Sequence, residues 1–181
     1  MMKRATQLAH EVVAERLKSG ESAVDATAGN GHDTLFLARL VGETGKVHAF
    51  DVQEKAIESS RARIAEAGFA ARTSFHCESH ALMAERVPAG VGAVMFNLGY
   101  LPGADHAVIT ETDETLRALN VARSLLKPDG VLTVVCYPGH EGGDEEAAAV
   151  RDWCLTHRGE VYPAARDGAP FLVVVRGTEG R

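Results

Sequence analysis

Apolar runs of strand length alternate five times with stretches of helical periodicity, and no linker or low-complexity segment interrupts them. The first stretch repeats Ala5, Leu8, Ala9, Val12, Val13 and Leu17 as one helical stripe, and Gly20 closes it. Strands are then expected over 22–26, 47–51, 72–77, 92–96 and 131–137. Helices are expected over 32–40, 54–67 (with Gly68 as its C-cap), 112–126 (stopped by Lys127-Pro128-Asp129-Gly130) and 144–156. Two last apolar runs, near 160–162 and 171–175, read as a terminal strand pair around the turn Arg166-Asp167-Gly168. Such alternation specifies an α/β fold, a parallel sheet with helices on both faces, because each right-handed crossover must bury its helix against the sheet. Ligands in these sheets bind beyond the carboxyl ends of the strands. Function is therefore to be read from the residues after each strand: DATAGNGHDT, DVQ, CESH, NLGYLPGAD and YPGH.

With 181 residues, 45% of them apolar, the chain is expected to form one domain over 1–181 with a full core. It has no uninterrupted apolar run of about eighteen residues, the length a membrane helix requires. The opening MMKRATQLAHEVVAERLKSG carries charges throughout and lacks the apolar centre of a secretory signal. Cys77, Cys136 and Cys154 are odd in number and far apart, which fits a reduced, cytoplasmic protein and argues against a disulfide frame. The net charge of −6 argues against a dedicated nonspecific nucleic-acid binder. An enzyme acting on RNA needs only a local basic face, which Lys3, Arg4, Arg16 and Lys18, or Arg117, Arg123 and Lys127, can supply; solvated helix surface is the plainer reading of the same residues.

The turn after the first strand, Asp25-Ala26-Thr27-Ala28-Gly29-Asn30-Gly31, opens a helix whose free N–H groups favour polar or anionic ligand atoms. It departs from the dinucleotide fingerprint G-x-G-x-x-G, because Thr34 stands at the third glycine and the acidic Asp25 would repel a pyrophosphate. An acid there suits a ligand with positive charge and an amino group, and S-adenosylmethionine has both. Asp51 lies twenty residues past Gly31, at a strand end where a carboxylate accepts both ribose hydroxyls; Val52 and Gln53 then lie against the adenine. The alternative for Asp51 is N-capping the next helix. Ser79 and His80 are placed to touch the adenine edge, and a surface or capping histidine is the alternative for His80.

This arrangement resembles the class I S-adenosylmethionine-dependent methyltransferases, whose first motif is an acidic residue followed by G-x-G-x-G; Thr27 stands here at the first glycine. The resemblance covers nearly the whole chain. It implies a Rossmann-like sheet with an antiparallel terminal strand, and a cofactor site built from Asp25, Thr27, Gly29, Asn30, Gly31, His32 and Asp33, with Asn97 at its far side. Methyltransferases acting on nucleobase nitrogen carry [D/N]-P-P-[Y/F/W] after the fourth strand. Asn97-Leu98-Gly99-Tyr100 keeps the Asn and the aromatic at that spacing. By this resemblance Asn97 orients an amine and Tyr100 offers a stacking or cation–π surface. An Asn bonding a turn and a Tyr covering the core edge is the plainer alternative.

Together DATAGNGHDT, NLGYLPGAD and YPGHEGG are similar to a family of small enzymes long labelled rRNA methylases. Membership implies N-methylation of the 5-aminomethyl group of wobble uridine in the tRNA anticodon region, and a homodimer. Leu98, Gly99, Tyr100, Tyr137 and His140 are then the substrate-side residues. His140 is a candidate to take a proton from the amine, to bind RNA phosphate, or to cap the turn, since imidazole titrates near neutrality. The histidines lack metal-ligand spacing on any one helix, so no metal is expected. Two other readings stay open: a methyltransferase for a small-molecule amine, and a nucleotide-binding module or dehydrogenase. The second is disfavoured by Asp25 and Thr34.

Overall fold

The computed structural model describes residues 3–99, 112–139, 142–164 and 166–178. Its chain order is α1 (Ala5–Ala14), β1 (Ser22–Asp25), α2 (His32–Leu40), β2 (Lys46–Phe50), α3 (Glu54–Glu66), β3 (Thr73–His76), β4 (Val91–Leu98), α4 (Thr112–Leu125), β5 (Leu126–Cys136), α5 (Gly143–Thr156), β6 (Glu160–Tyr162) and β7 (Phe171–Arg176). One sheet holds all seven strands in the order β3-β2-β1-β4-β5-β7-β6. The first five strands run parallel, and β7 lies antiparallel between β5 and β6. Strand order reverses between β1 and β4, which places the ligand crevice beyond Asp25 and Leu98.

Side chains alternate across the sheet with period two, and this decides what meets at the crevice. Val94, Phe96 and Leu98 of β4 pack with Leu132, Val134 and Cys136 of β5 in one core cluster, against Leu119 of α4 and Trp153 of α5. Ala93 and Met95 join Val131 and Val135 in the opposite cluster, with Ala9 and Val13 of α1 and Leu37 of α2. Asn97 and Tyr137 continue that second face past its last apolar pair. Fully burying a residue of the size of Leu37 or Leu119 stabilises the fold by about 1.5–3 kcal/mol, so both faces are firmly specified.

Three local features differ from expectation. β4 runs on through Asn97 to Leu98, so the Asn leaves from within the strand. Residues 127–130 do not separate α4 from β5; the strand begins at Leu126, paired with Val91, and its register shifts before Ala93 meets Val131. Asp129 takes up the irregularity with a left-handed φ of 63°. Gly130 packs so tightly that a Cβ there would lie 2.9 Å from the carbonyl oxygens of Lys127 and Val91. Finally, a short 3-10 helix, His80–Glu85, fills part of the connection to β4, capped by the Ser79 hydroxyl accepting from the Ala81 N–H.

Candidate active site

The loop from β1 into α2 is tied down at both ends by carboxylates. Asp25 is fully buried, accepting from the Thr27 N–H at 3.1 Å and the Thr34 hydroxyl at 2.6 Å. Burial first, then the nearby Asp33, pushes its carboxyl up to about 7. Asp25 thus acts from beneath the loop; it does not front the ligand as its place in the motif implied. Thr27 ties the loop to β4, its hydroxyl accepting from the Asn97 N–H at 2.8 Å. That bond gives the departure from glycine at this position a physical role. Gly31, with φ 78°, is the N-cap of α2, and a Cβ there would meet Ser60 Cα at 2.8 Å. Asn30 is turned to α3: its side-chain oxygen accepts from Ser59 and its carbonyl from Arg63. His32 is exposed at the start of α2.

At the end of β2, Asp51 accepts from the Gly29 N–H at 3.0 Å and the Gln53 N–H at 2.9 Å. Gln53, not Asp51, is the N-cap of α3. The carboxylate therefore joins the glycine loop to the β2 turn. Val52 beside it is 56% exposed, an apolar surface open to an adenine. Ser79 and His80 are engaged by the protein itself. Ser79 donates to Glu114 as well as capping the 3-10 helix. His80 is buried against Phe96 and donates from Nδ1 to the Ala26 carbonyl at 2.9 Å, and burial lowers its pKa, so it braces the loop as a neutral ring. Both side chains thus serve loop contacts of the protein itself, Ser79 through its hydroxyl and His80 through Nδ1.

On the other side of the crevice Asn97, Asp33 and Tyr137 come together. The Asn97 amide reaches Asp33 Oδ2 at 3.5 Å, and its side chain lies beside the Tyr137 hydroxyl. Burial, with Asp33 adding its charge, raises the pKa of Tyr137. Gly99 lies flat against the Tyr137 ring: a Cβ there would sit 3.3 Å from Cδ2. Leu98, expected on the substrate side, is 2% exposed and belongs to the core with Phe96, because period-two alternation turns it to the opposite face from Asn97. Tyr100 and His140 lie outside the described residues.

His10 of α1 escaped notice in the sequence. Its Nε2 lies 2.6 Å from Asp33 Oδ1, and its ring stacks on Phe36 at 3.9 Å with an interplanar angle of 4°. The one available signal was a polar residue beside the apolar stripe of α1, immediately after Ala9. Among the described residues no group of three or more His, Cys, Asp or Glu is placed to hold a metal ion, and no helix is long and apolar enough to cross a membrane.

A glycine loop closed on a strand-end carboxylate, at the switch point of a 3-2-1-4-5-7-6 sheet, defines the Rossmann-like class I methyltransferase fold. A crystal structure from Clostridium thermocellum, described as an rRNA methylase like the family below, superposes with a TM-score of 0.93 at 35% identity, over 97% of this chain and 98% of that one. A Streptococcus mutans structure solved in complex with SAH matches with a TM-score of 0.86 at 34% identity, over 97% and 99% of the two chains. Residues 47–166 match the family model described as "Putative rRNA methylase", and the chain belongs to that family. It is also 41% identical over 160 residues to the chloroplastic tRNA (mnm(5)s(2)U34)-methyltransferase of Arabidopsis thaliana, covering 82% of this chain and 58% of that protein's length.

Proposed function

We propose that the protein is an S-adenosylmethionine-dependent N-methyltransferase acting on the 5-aminomethyl group of wobble uridine 34 in tRNA, yielding 5-methylaminomethyl-(2-thio)uridine. The observation that carries this reading is the 41% identity to the Arabidopsis protein of that name. The geometry supports it. Asp51, Val52 and the Gly29–Gly31 loop offer a carboxylate, an apolar surface and a close-approaching backbone, which fit a nucleoside. Asn97 and Tyr137 offer polar groups to an amine on the far side of the loop.

Bound S-adenosylmethionine supplies an electrophilic methyl group on a sulfonium. The chain's own residues hold and orient the acceptor, and such a transfer gains chiefly from positioning. Asn97 Oδ1 can accept from the amine while its backbone N–H stays tied to Thr27, so the strand end is fixed relative to the cofactor loop. We further take the enzyme to work in the cytoplasm, the reading its three scattered cysteines favour, and as a homodimer, an expectation from the family resemblance that sedimentation analysis tests.

The family description favours one competing substrate, rRNA. Incubation with labelled S-adenosylmethionine and, in parallel, tRNA and ribosomal RNA from cells lacking the endogenous activity distinguishes them. Label in tRNA is the expected result. Label confined to rRNA, or only to small amines, refutes the proposal.

A further inference from the structure

An alkylammonium has no free electron pair, so the acceptor of the proposed reaction must lose a proton before it attacks. We propose that Asp33, held in place by His10, is the carboxylate that binds this ammonium and takes its proton. The inference rests on the proposed function and adds to it the group that recognises the charge of the acceptor.

Among the described residues three carboxylates flank the glycine loop, Asp25, Asp51 and Asp33, and only one of them is free for this task. Asp25 is sealed, with both oxygens bonded to Thr27 and Thr34. Asp51 spends both oxygens on the N–H groups of Gly29 and Gln53. The Asp33 side chain keeps 13% exposure, and its Oδ2 faces Asn97 at 3.5 Å, the outer limit of a hydrogen bond. An ammonium has three protons. It can donate to Asp33 Oδ2, Asn97 Oδ1 and the Tyr137 hydroxyl at once, in place of that long contact.

His10 fixes the other oxygen. In the neutral ring Nε2–H donates to Asp33 Oδ1 at 2.6 Å, while the stack on Phe36 sets the plane of the imidazole. Its Nδ1 has no hydrogen-bond partner among the described residues. His10 is therefore a positioning residue, orienting a carboxylate that it does not replace. Among the described residues the titratable groups facing Asp33 are His10 from α1, Asp25 from β1 and Tyr137 just past β5. When ionised, Asp25 adds its charge to that of Asp33, which favours a cation over a neutral exocyclic base amine. The step balances. A proton passes from nitrogen to Asp33, the nitrogen pair bonds the methyl carbon, and the carbon–sulfur bond breaks with its electrons remaining on sulfur. The product is a secondary ammonium and a neutral thioether, with Asp33 protonated until water removes the proton.

The test uses tRNA carrying 5-aminomethyluridine, SAH calorimetry, thermal melting and single-turnover methylation between about pH 6.5 and 9.5. At saturating cofactor Asp33→Asn should methylate about 100-fold more slowly at pH 7, within the usual range for a proton-accepting group. That deficit should shrink as pH rises and the amine loses its proton unaided. His10→Ala should show a smaller deficit of the same pH dependence, and His10→Gln, whose amide can still donate to Asp33, should recover part of it. If Asp33→Asn does not fold, the two His10 variants carry the test. Weakened SAH binding with normal turnover at saturating cofactor would place Asp33 on the cofactor and overturn the inference. A deficit that is constant with pH in the variants overturns it too. Failure of the wild type to methylate this tRNA overturns instead the proposed function beneath it.

Discussion

Asp51→Asn separates a loop-bracing role from a ligand-binding one. The carboxylate accepts one backbone N–H on each oxygen, from Gly29 at 3.0 Å and from Gln53 at 2.9 Å. An amide of the same shape has a single accepting oxygen and turns its own N–H groups toward the other donor. One hydrogen bond to a charged group is therefore lost whichever way the amide is oriented, at a cost of roughly 1.5–3 kcal/mol. Asp51 is only half-buried, so solvent brings the expected loss of stability to about 1–2 kcal/mol, a fall in melting temperature of roughly 2–8 °C for a chain of this length. If the same carboxylate accepts the ribose hydroxyls, affinity for S-adenosylmethionine and SAH should also fall at least about tenfold, or ~1.4 kcal/mol. Calorimetry well below the melting temperature reads the second effect apart from the first. A lowered melting temperature with unchanged affinity would show that Asp51 only braces the glycine loop.

Other consequences follow from single contacts. Asn97→Ala should leave SAH affinity within a few-fold and depress methyl transfer at saturating substrate; normal turnover would return Asn97 to a structural role. Thr133 of β5 is fully buried with no partner for its hydroxyl among the described residues, so the isosteric Thr133→Val should stabilise the protein by about 1 kcal/mol in urea denaturation. A loss of stability would contradict this. Burial first, then the adjacent His76 at 3.2 Å, pushes His48 down to about 4 from the usual histidine value near 6.5. A depressed histidine binds fewer protons folded than unfolded, so stability should fall as pH drops from about 6.5 to about 4, and no further below that. The displacement corresponds to at most ~3 kcal/mol, reduced to about 1–2 by partial exposure. Asp25, whose pKa is raised, acts in the opposite sense, its contribution growing as pH falls through about 7. The difference between wild type and His48→Gln at pH 7 and pH 5 isolates the histidine, and an equal difference at the two pH values would refute it.

The sheet and its crevice were legible because parallel strands buried on both faces must be apolar throughout, and their crossovers must be helical. The glycine loop, Asp51 and Asn97 could be placed because each directly follows the apolar run of such a strand. What escaped depends on contacts distant in sequence. His10 reaches Asp33 across 23 positions, through the packing of α1 beside the strand ends. His80 is taken up by the Ala26 carbonyl 54 positions away. Leu98 was misplaced for a local reason: β4 is two residues longer than its apolar run, and counting the alternation on from Phe96 would have turned Leu98 into the core and Asn97 out of it. The 3-10 helix at His80–Glu85 lacks any sustained period, and Asp129 holds within β5 a turn that reads in sequence as a stop.

The chemical identity of the methylated nucleoside tests the central claim most directly. Transfer RNA carrying the 5-aminomethyl group, from cells lacking the endogenous methyltransferase, is incubated with the protein and isotopically labelled S-adenosylmethionine, then digested and resolved by mass spectrometry. The account predicts label on the side-chain nitrogen of the wobble uridine, as 5-methylaminomethyl-(2-thio)uridine, with other nucleosides unlabelled. Label on a ring nitrogen or an exocyclic base amine, or no label in tRNA while ribosomal RNA accepts it, would contradict both the proposed acceptor and the carboxylate assigned to recognise it.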